Sequence, residues 1–89
     1  MIKETLKNGF EVEIPDENLD DYELLEDLAE LDEDDYGKIV SVYRRLLGKD
    51  QYKALKEHIR NESGRVPATE MMDTLEEIFN IQNGEVKNS

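Results

Sequence analysis

The polar–apolar pattern along the chain divides into one alternating stretch and four helical ones. Residues 2–14 alternate with a period of two on either side of Asn8-Gly9, which predicts a hairpin. A two-residue loop would put Ile2 and Leu6 on the face opposite Phe10, Val12 and Ile14, and the pattern would be wasted. A three-residue loop, Lys7-Asn8-Gly9, pairs Leu6 with Phe10, Glu4 with Val12 and Ile2 with Ile14. The apolar residues then share one face, and Lys3 stands opposite Glu13 on the other as an opposite-charge pair. Gly9 takes the left-handed position that ends such loops. The three-residue register is the one expected.

Pro15 closes the second strand, and Asp16 to Asn18 read as a polar connector. Asp20 with Glu23 three residues later predicts an N-cap and its reciprocal partner. The helix that follows, over about 21–31, carries Tyr22, Leu24, Leu25, Leu28 and Leu31 on one broad stripe. Its acidic first turn suits the positive end of the helix dipole. The run from Asp32 to Asp35 then interrupts the periodicity. A second helix, 36–47, places Tyr36, Ile39, Val40, Tyr43, Leu46 and Leu47 at i, +3, +4, +7, +10 and +11, the clearest amphipathic signal in the chain. Arg44 and Arg45 lie near its C-terminus, and Gly48 suits the position just past it. Asp50 is expected to cap a third helix, 51–61, with Tyr52, Leu55 and Ile59 inward. Pro67 fits the first position of a fourth, 67–82, whose stripe is Ala68, Met71, Met72, Leu75, Ile78 and Phe79. Gly84 is expected to end it, leaving 85–89 as a disordered tail. The predicted fold class is α+β, mainly helical: an N-terminal β-hairpin followed by a compact bundle of about four short α-helices, in a single domain over 1–84.

Composition adds function classes to exclude. At 89 residues the core is modest, and 38% charged against 37% hydrophobic residues predicts a soluble body. Eleven Lys and Arg against 23 Asp and Glu give a net charge of −12. Nucleic-acid affinity rests on cations neutralising phosphates, so direct nucleic-acid binding is not expected, nor is an anionic membrane surface. The absence of Cys excludes disulfides, thiolate metal sites and thiol nucleophiles. The first ten residues lack the apolar run of a signal peptide, and no 18-residue apolar span occurs, so an intracellular-type protein is expected. The charge is also segmented. Residues 8–37 hold fourteen carboxylates and no Lys or Arg, whereas residues 38–65 carry eight basic residues against three acidic ones. Such a distribution suits two surfaces that attract each other inside one fold, or an acidic front that steers a basic partner.

Candidate chemistry is sparse. Asp32, Asp34 and Gly37 match positions 1, 3 and 6 of a calcium loop, but Tyr36 and Tyr43 stand where an oxygen ligand and the bidentate Glu are required. Asp16, Asn18 and Asp20 fail as first ligands because position 6 is Asp21. His58 is the single His; Glu57 beside it does not share its helix face, and a surface contact with Glu62 is expected instead. A general acid needs a carboxyl group held in an apolar pocket, and in so small a chain nearly all are exposed. No phosphate loop, GxSxG or HExxH occurs. The reading is therefore of a non-enzyme with no catalytic residues, cofactor or metal. Met71 and Met72 with Ile78 and Phe79 suit core packing or an adaptable apolar surface. The stripes are broad for so small a body, which points to an exposed groove or a self-association face.

Thr5-Leu-Lys-Asn-Gly-Phe-Glu-Val-Glu-Ile14, Asp20-Asp-Tyr-Glu-Leu-Leu25 and Leu46-Leu-Gly48 carry a family resemblance. It continues through Gln51-Tyr-Lys-Ala-Leu-Lys-Glu-His-Ile-Arg60, Gly64-Arg-Val-Pro67 and Glu76-Glu-Ile-Phe79. Together they resemble the small acidic proteins of long-tailed phages and prophages of the tail assembly chaperone type. The resemblance implies a protein of the bacterial host cytoplasm that binds the tape measure protein, keeps it soluble and helps recruit tail tube subunits. Some members are also made as a longer frameshifted product. No active-site residues transfer. A long apolar helical partner requires apolar grooves on a charged body, and Val40, Tyr43, Met71, Met72 and Phe79 are the expected partner-binding residues. Two other readings compete: a head–tail connector or completion protein of the virion, and an acidic inhibitor or DNA mimic that binds a basic host protein. The charge pattern also carries a physical expectation. Raising salt from low to moderate concentration will raise the melting temperature by screening the acidic front, and a melting temperature that falls would make internal attraction the dominant effect.

Overall fold

The alternating stretch forms an antiparallel pair, β1 (Ile2–Thr5) and β2 (Glu11–Ile14), in the computed structural model, which describes residues 1–31 and 36–87. The register is Ile2 opposite Ile14, Lys3 opposite Glu13 and Glu4 opposite Val12, as burial of one face requires. Gly9 sits at φ 90°, Gly9 N–H donates to Leu6 O at 2.9 Å, and Leu6 N–H donates to Phe10 O at 2.8 Å. Leu6, Val12 and Ile14 are buried beneath the hairpin, while Lys3 Nζ meets Glu13 Oε1 at 3.3 Å on the outer face. The open edge of β2 is occupied by a side chain. The Gln51 amide accepts from Glu13 N–H at 2.6 Å and donates to Glu13 O at 2.7 Å, as a neighbouring strand would.

Among the described residues five helices follow: α1 (Asp16–Leu19), α2 (Tyr22–Ala29), α3 (Tyr36–Leu47), α4 (Lys49–Ile59) and α5 (Ala68–Lys87). The fold is thus an N-terminal hairpin followed by a mostly helical bundle of short helices. The expected connector at 16–18 is instead the single turn α1, begun at Pro15, whose preset φ suits a helix start. Asp21, one residue later than expected, caps α2 by accepting from Glu23 N–H and Leu24 N–H. Gly48, at φ 81°, ends α3 and begins α4 at once, so Asp50 falls within the first turn of α4 and is not its cap. At the end of α3, Gly48 N–H continues the ladder to Arg44 O, and side chains meet two further carbonyls: Leu46 O by Asn18 Nδ2 and Leu47 O by Gln51 Nε2. Pro67 precedes α5 and accepts from Met71 N–H. The helix continues through Gly84, which costs only about 1 kcal/mol in a helix interior, to Lys87.

The core is centred on α3. Val42, Tyr43 and Leu46 are fully buried against Val12 and Ile14 of the hairpin, Leu55 of α4 and Ile78 of α5. The Tyr43 hydroxyl donates to the Met71 carbonyl, and its ring stacks on Tyr52 with centroids 5.2 Å apart. Burial pushes the Tyr43 phenol well above its ordinary pKa, so it remains a donor at any pH the fold meets.

The acidic helix α2 lies along α3 with its carboxylates against that helix's cations. Asp27, only 9% exposed, accepts from the Ser41 hydroxyl, with Lys38 Nζ at 3.5 Å and Arg45 Nε at 3.3 Å. Arg45 also meets Asp21 at 3.4 Å and Glu23 at 3.7 Å, and Lys38 meets Glu30 at 2.7 Å. This arrangement rotates α2 away from the broad stripe expected of it. Leu24, Asp27, Leu28 and Leu31 face inward, and Tyr22 and Leu25 face solvent. The Ser41 hydroxyl and the two cations hold the Asp27 carboxyl below the ordinary carboxylate range, against the opposing effect of burial. A pKa lowered by folding adds stability above the unfolded value of 3.8, and that stability is lost as pH falls through the folded value. Asp27→Asn will therefore lower the melting temperature at neutral pH. The gap between wild type and variant will stay constant down to about pH 5 and shrink below pH 4. A gap that widens on acidification in thermal melts would contradict this account.

Candidate functional site

The stripe along α5 is wider than its core contact. Met71, Thr74, Leu75 and Ile78 recur at i, +3, +4 and +7 and are buried. One step round the helix, Met72, Leu75, Glu76 and Phe79 repeat the same spacing and stand at the edge of the core. Across from them lie Ile39 of α3 and Leu31 beyond the end of α2. The space between is a groove of about 350 Å³, lined by Leu31, Ile39, Met72, Leu75 and Phe79, with Asp73 and Glu76 on its rim. Leu75 closes its floor, while Met72, Phe79, Ile39 and Leu31 are half-buried and form its walls.

The five expected partner-binding residues separate into three groups. Met72 and Phe79 line the groove. Tyr43 and Met71 do not reach it: both are core residues, joined by the hydrogen bond from the phenol to the Met71 carbonyl. Val40 is partly buried against the core and is not among the described lining residues. The reason is geometric. Residues 71 and 72 are about 100° apart round a helix, so two adjacent methionines cannot share one environment. Leu31, Ile39 and Leu75 complete the lining and were read from sequence as ordinary stripe residues. Their signal there is stripe width, as in the seven apolar positions among the twelve residues 36–47.

A larger polar cleft of about 640 Å³ separates the hairpin turn from α5, with Lys7, Asn8, Glu70, Asp73, Thr74 and Glu77 in its walls. Glu77 Oε2 accepts from Lys7 N–H at 2.9 Å and ties the turn to the helix. His58 does not turn to Glu62. Its Nε2 donates to the Asn8 carbonyl at 2.8 Å, and its ring packs against Phe10 with centroids 5.6 Å apart. It thus braces the hairpin on α4, while Glu57 pairs with Arg60 at 2.8 Å. No group of three His, Cys, Asp or Glu side chains among the described residues is placed to hold a metal ion. Asn18 of the second calcium-loop reading is turned to Leu46 O, and the first, at Asp32 and Asp34, lies outside the described residues. No described helix is long and apolar enough to cross a membrane.

No known protein family matches the chain, and neither curated proteins nor solved structures show a significant match to it. The groove's place at the core edge has a measurable consequence. Ile78→Ala will cost about 2–5 kcal/mol in denaturant unfolding, as expected for a fully buried aliphatic residue, whereas Met72→Ala will cost less than about 1.5 kcal/mol. Equal losses would make Met72 a core residue and the groove a packing defect.

Proposed function

We propose that this chain is a non-enzymatic binding protein, and that it acts as a tail assembly chaperone whose groove receives an apolar helical segment of a phage tape measure protein. The observation that carries the reading is the groove itself, with five apolar side chains around an unfilled space on a strongly acidic body. A partner helix that presents its apolar ridge to Met72, Phe79 and Ile39 would remove those side chains from water, at roughly 25 cal/mol per Å² buried. Asp73 and Glu76 on the rim favour a ridge flanked by Lys or Arg. Adjacent methionine and phenylalanine side chains suit a partner with an irregular surface, because Met adapts its three torsions to what it meets. The net charge of −12 opposes association of such complexes with one another. The resemblance of residues 3–80 to tail assembly chaperones supplies the partner class. The DNA-mimic reading is weakened by Asp21 and Asp27, whose carboxylates are turned to Arg45 and Lys38 instead of being arrayed for an outside cation.

Co-expression with a phage tape measure protein tests this proposal. The partner should move from the pellet to the soluble fraction with the wild-type chain and return to the pellet with Met72→Glu, Phe79→Glu. That variant keeps the core, and circular dichroism will verify that it is folded. Purified mature particles should lack the chain, whereas a connector would remain in them. Equal insolubility of the partner with and without the wild-type chain would end the proposal.

A further inference from the structure

The rotation of α2 that buries Asp27 leaves a second apolar surface on the opposite side of the helix. Tyr22, Leu25, Glu26 and Ala29 recur at i, +3, +4 and +7, and so share the outward face. Tyr22 is 76% exposed and Leu25 56%, the two large apolar side chains within a helix that solvent reaches most freely among the described residues. Along one edge of this ridge stand the exposed carboxylates Glu23, Glu26 and Glu30. Glu30 and Glu23 reach partly toward Lys38 and Arg45. The Glu26 carbonyl accepts from Glu30 N–H, but its carboxylate makes no hydrogen bond or ion pair with any described residue. Asp20, at the foot of the helix, is also exposed, and residues 8–37 contain no Lys or Arg to offset this field.

An aromatic and a branched aliphatic side chain held in water lower solubility with no gain in stability, and α2 needs neither for its own packing. We infer that the outward face of α2 is a docking surface separate from the groove, and that its occupant is a basic amphipathic helix of another protein. The ridge of Tyr22, Leu25 and Ala29 takes the apolar side of that helix, and the Glu23–Glu26–Glu30 edge takes its Lys and Arg. A second copy of this chain does not supply the match. Two α2 faces brought together would set acidic edge against acidic edge, which like-charge repulsion opposes. The chain's own basic helix, α4, offers charge without a ridge: its exposed residues are Lys49, Asp50, Lys53, Ala54, Glu57 and His58, with Tyr52, Leu55 and Ile59 buried. A protein with both surfaces holds two different helices at once, an apolar one in the groove and a basic one on α2.

The test uses isotope-labelled full-length protein and a synthetic helical peptide of Leu and Lys with a single apolar face, alongside the same peptide with Glu for Lys. Amide resonances of Tyr22, Leu25, Glu26 and Ala29 should shift with the Lys peptide and not with the Glu peptide. Tyr22→Ser, Leu25→Ser should weaken binding at least tenfold with an unchanged melting temperature, because neither side chain is buried. Glu26→Lys should weaken it too, as should raising salt from about 50 to about 300 mM. Met72→Glu, in the groove, should leave this binding unaltered, so failure here and failure of the chaperone proposal are told apart. Shifts centred on residues 72–79, or affinity of the Tyr22→Ser, Leu25→Ser variant within twofold of wild type, would overturn the inference. So would a wild-type dimer in sedimentation that the same variant abolishes.

Discussion

The helix α3 must bury more than one face, and no single neighbour in a chain of 89 residues is large enough to cover it. Every other element is therefore placed by its contact with this one helix. The hairpin covers it with Val12 and Ile14, α4 with Leu55 and Tyr52, α5 with Ile78 and Met71, and α2 with Leu24 and a line of carboxylates. Burial of Tyr43 obliges its hydroxyl to find an acceptor, and the acceptor is the Met71 carbonyl in the first turn of α5. That bond sets how far along α3 the last helix sits, and so which residues of α5 are left at the core edge.

A small core cannot satisfy every backbone group at its margin, and side chains from remote parts of the sequence do so here. Gln51 completes the open strand, Asn18 and Gln51 meet the carbonyls at the end of α3, and His58 and Glu77 hold the hairpin turn from two helices. Each is a polar residue with an ordinary surface reading in the linear sequence. Their concentration around β2 and the α3–α4 junction explains why a two-stranded sheet, marginal by itself, is stable here. It also gives the single His a structural contact, to the Asn8 carbonyl and the Phe10 ring.

The acidic segment has two sides with different surroundings. Its inner carboxylates are matched by Lys38, Ser41 and Arg45, which converts part of the charge segmentation into attachment of α2 to α3. Its outer carboxylates are left in water beside Tyr22 and Leu25. Aiming Asp27 inward is what turns those two side chains outward, so one ion-pair cluster both fastens the helix and creates its exposed ridge. The groove at Met72 and Phe79 arises differently, from a helix whose apolar stripe is broader than the core it covers.

The sequence by itself determined the hairpin, its three-residue loop and its register, because a strand has a period of two and a slip of one residue exposes every apolar side chain. It determined α3, α4 and the start of α5 within about two residues for the same kind of reason, since apolar side chains repeat there at helical spacing, whereas α5 runs on past Gly84 to Lys87. It also determined that Gly9 and Gly48 would be turning points. What it left open was the rotation of each helix about its axis where apolar residues are adjacent, as in Leu24-Leu25 and Met71-Met72. Periodicity alone assigns both members of such a pair to the buried stripe, and only contact with a partner chooses between them. For α2 the choice was made by Asp27 meeting Ser41, Lys38 and Arg45, and for α5 by Tyr43 meeting the carbonyl of Met71. Those partners lie eleven to twenty-eight residues away in sequence, so no local pattern contains them, and the exposed surfaces are decided only when the helices pack.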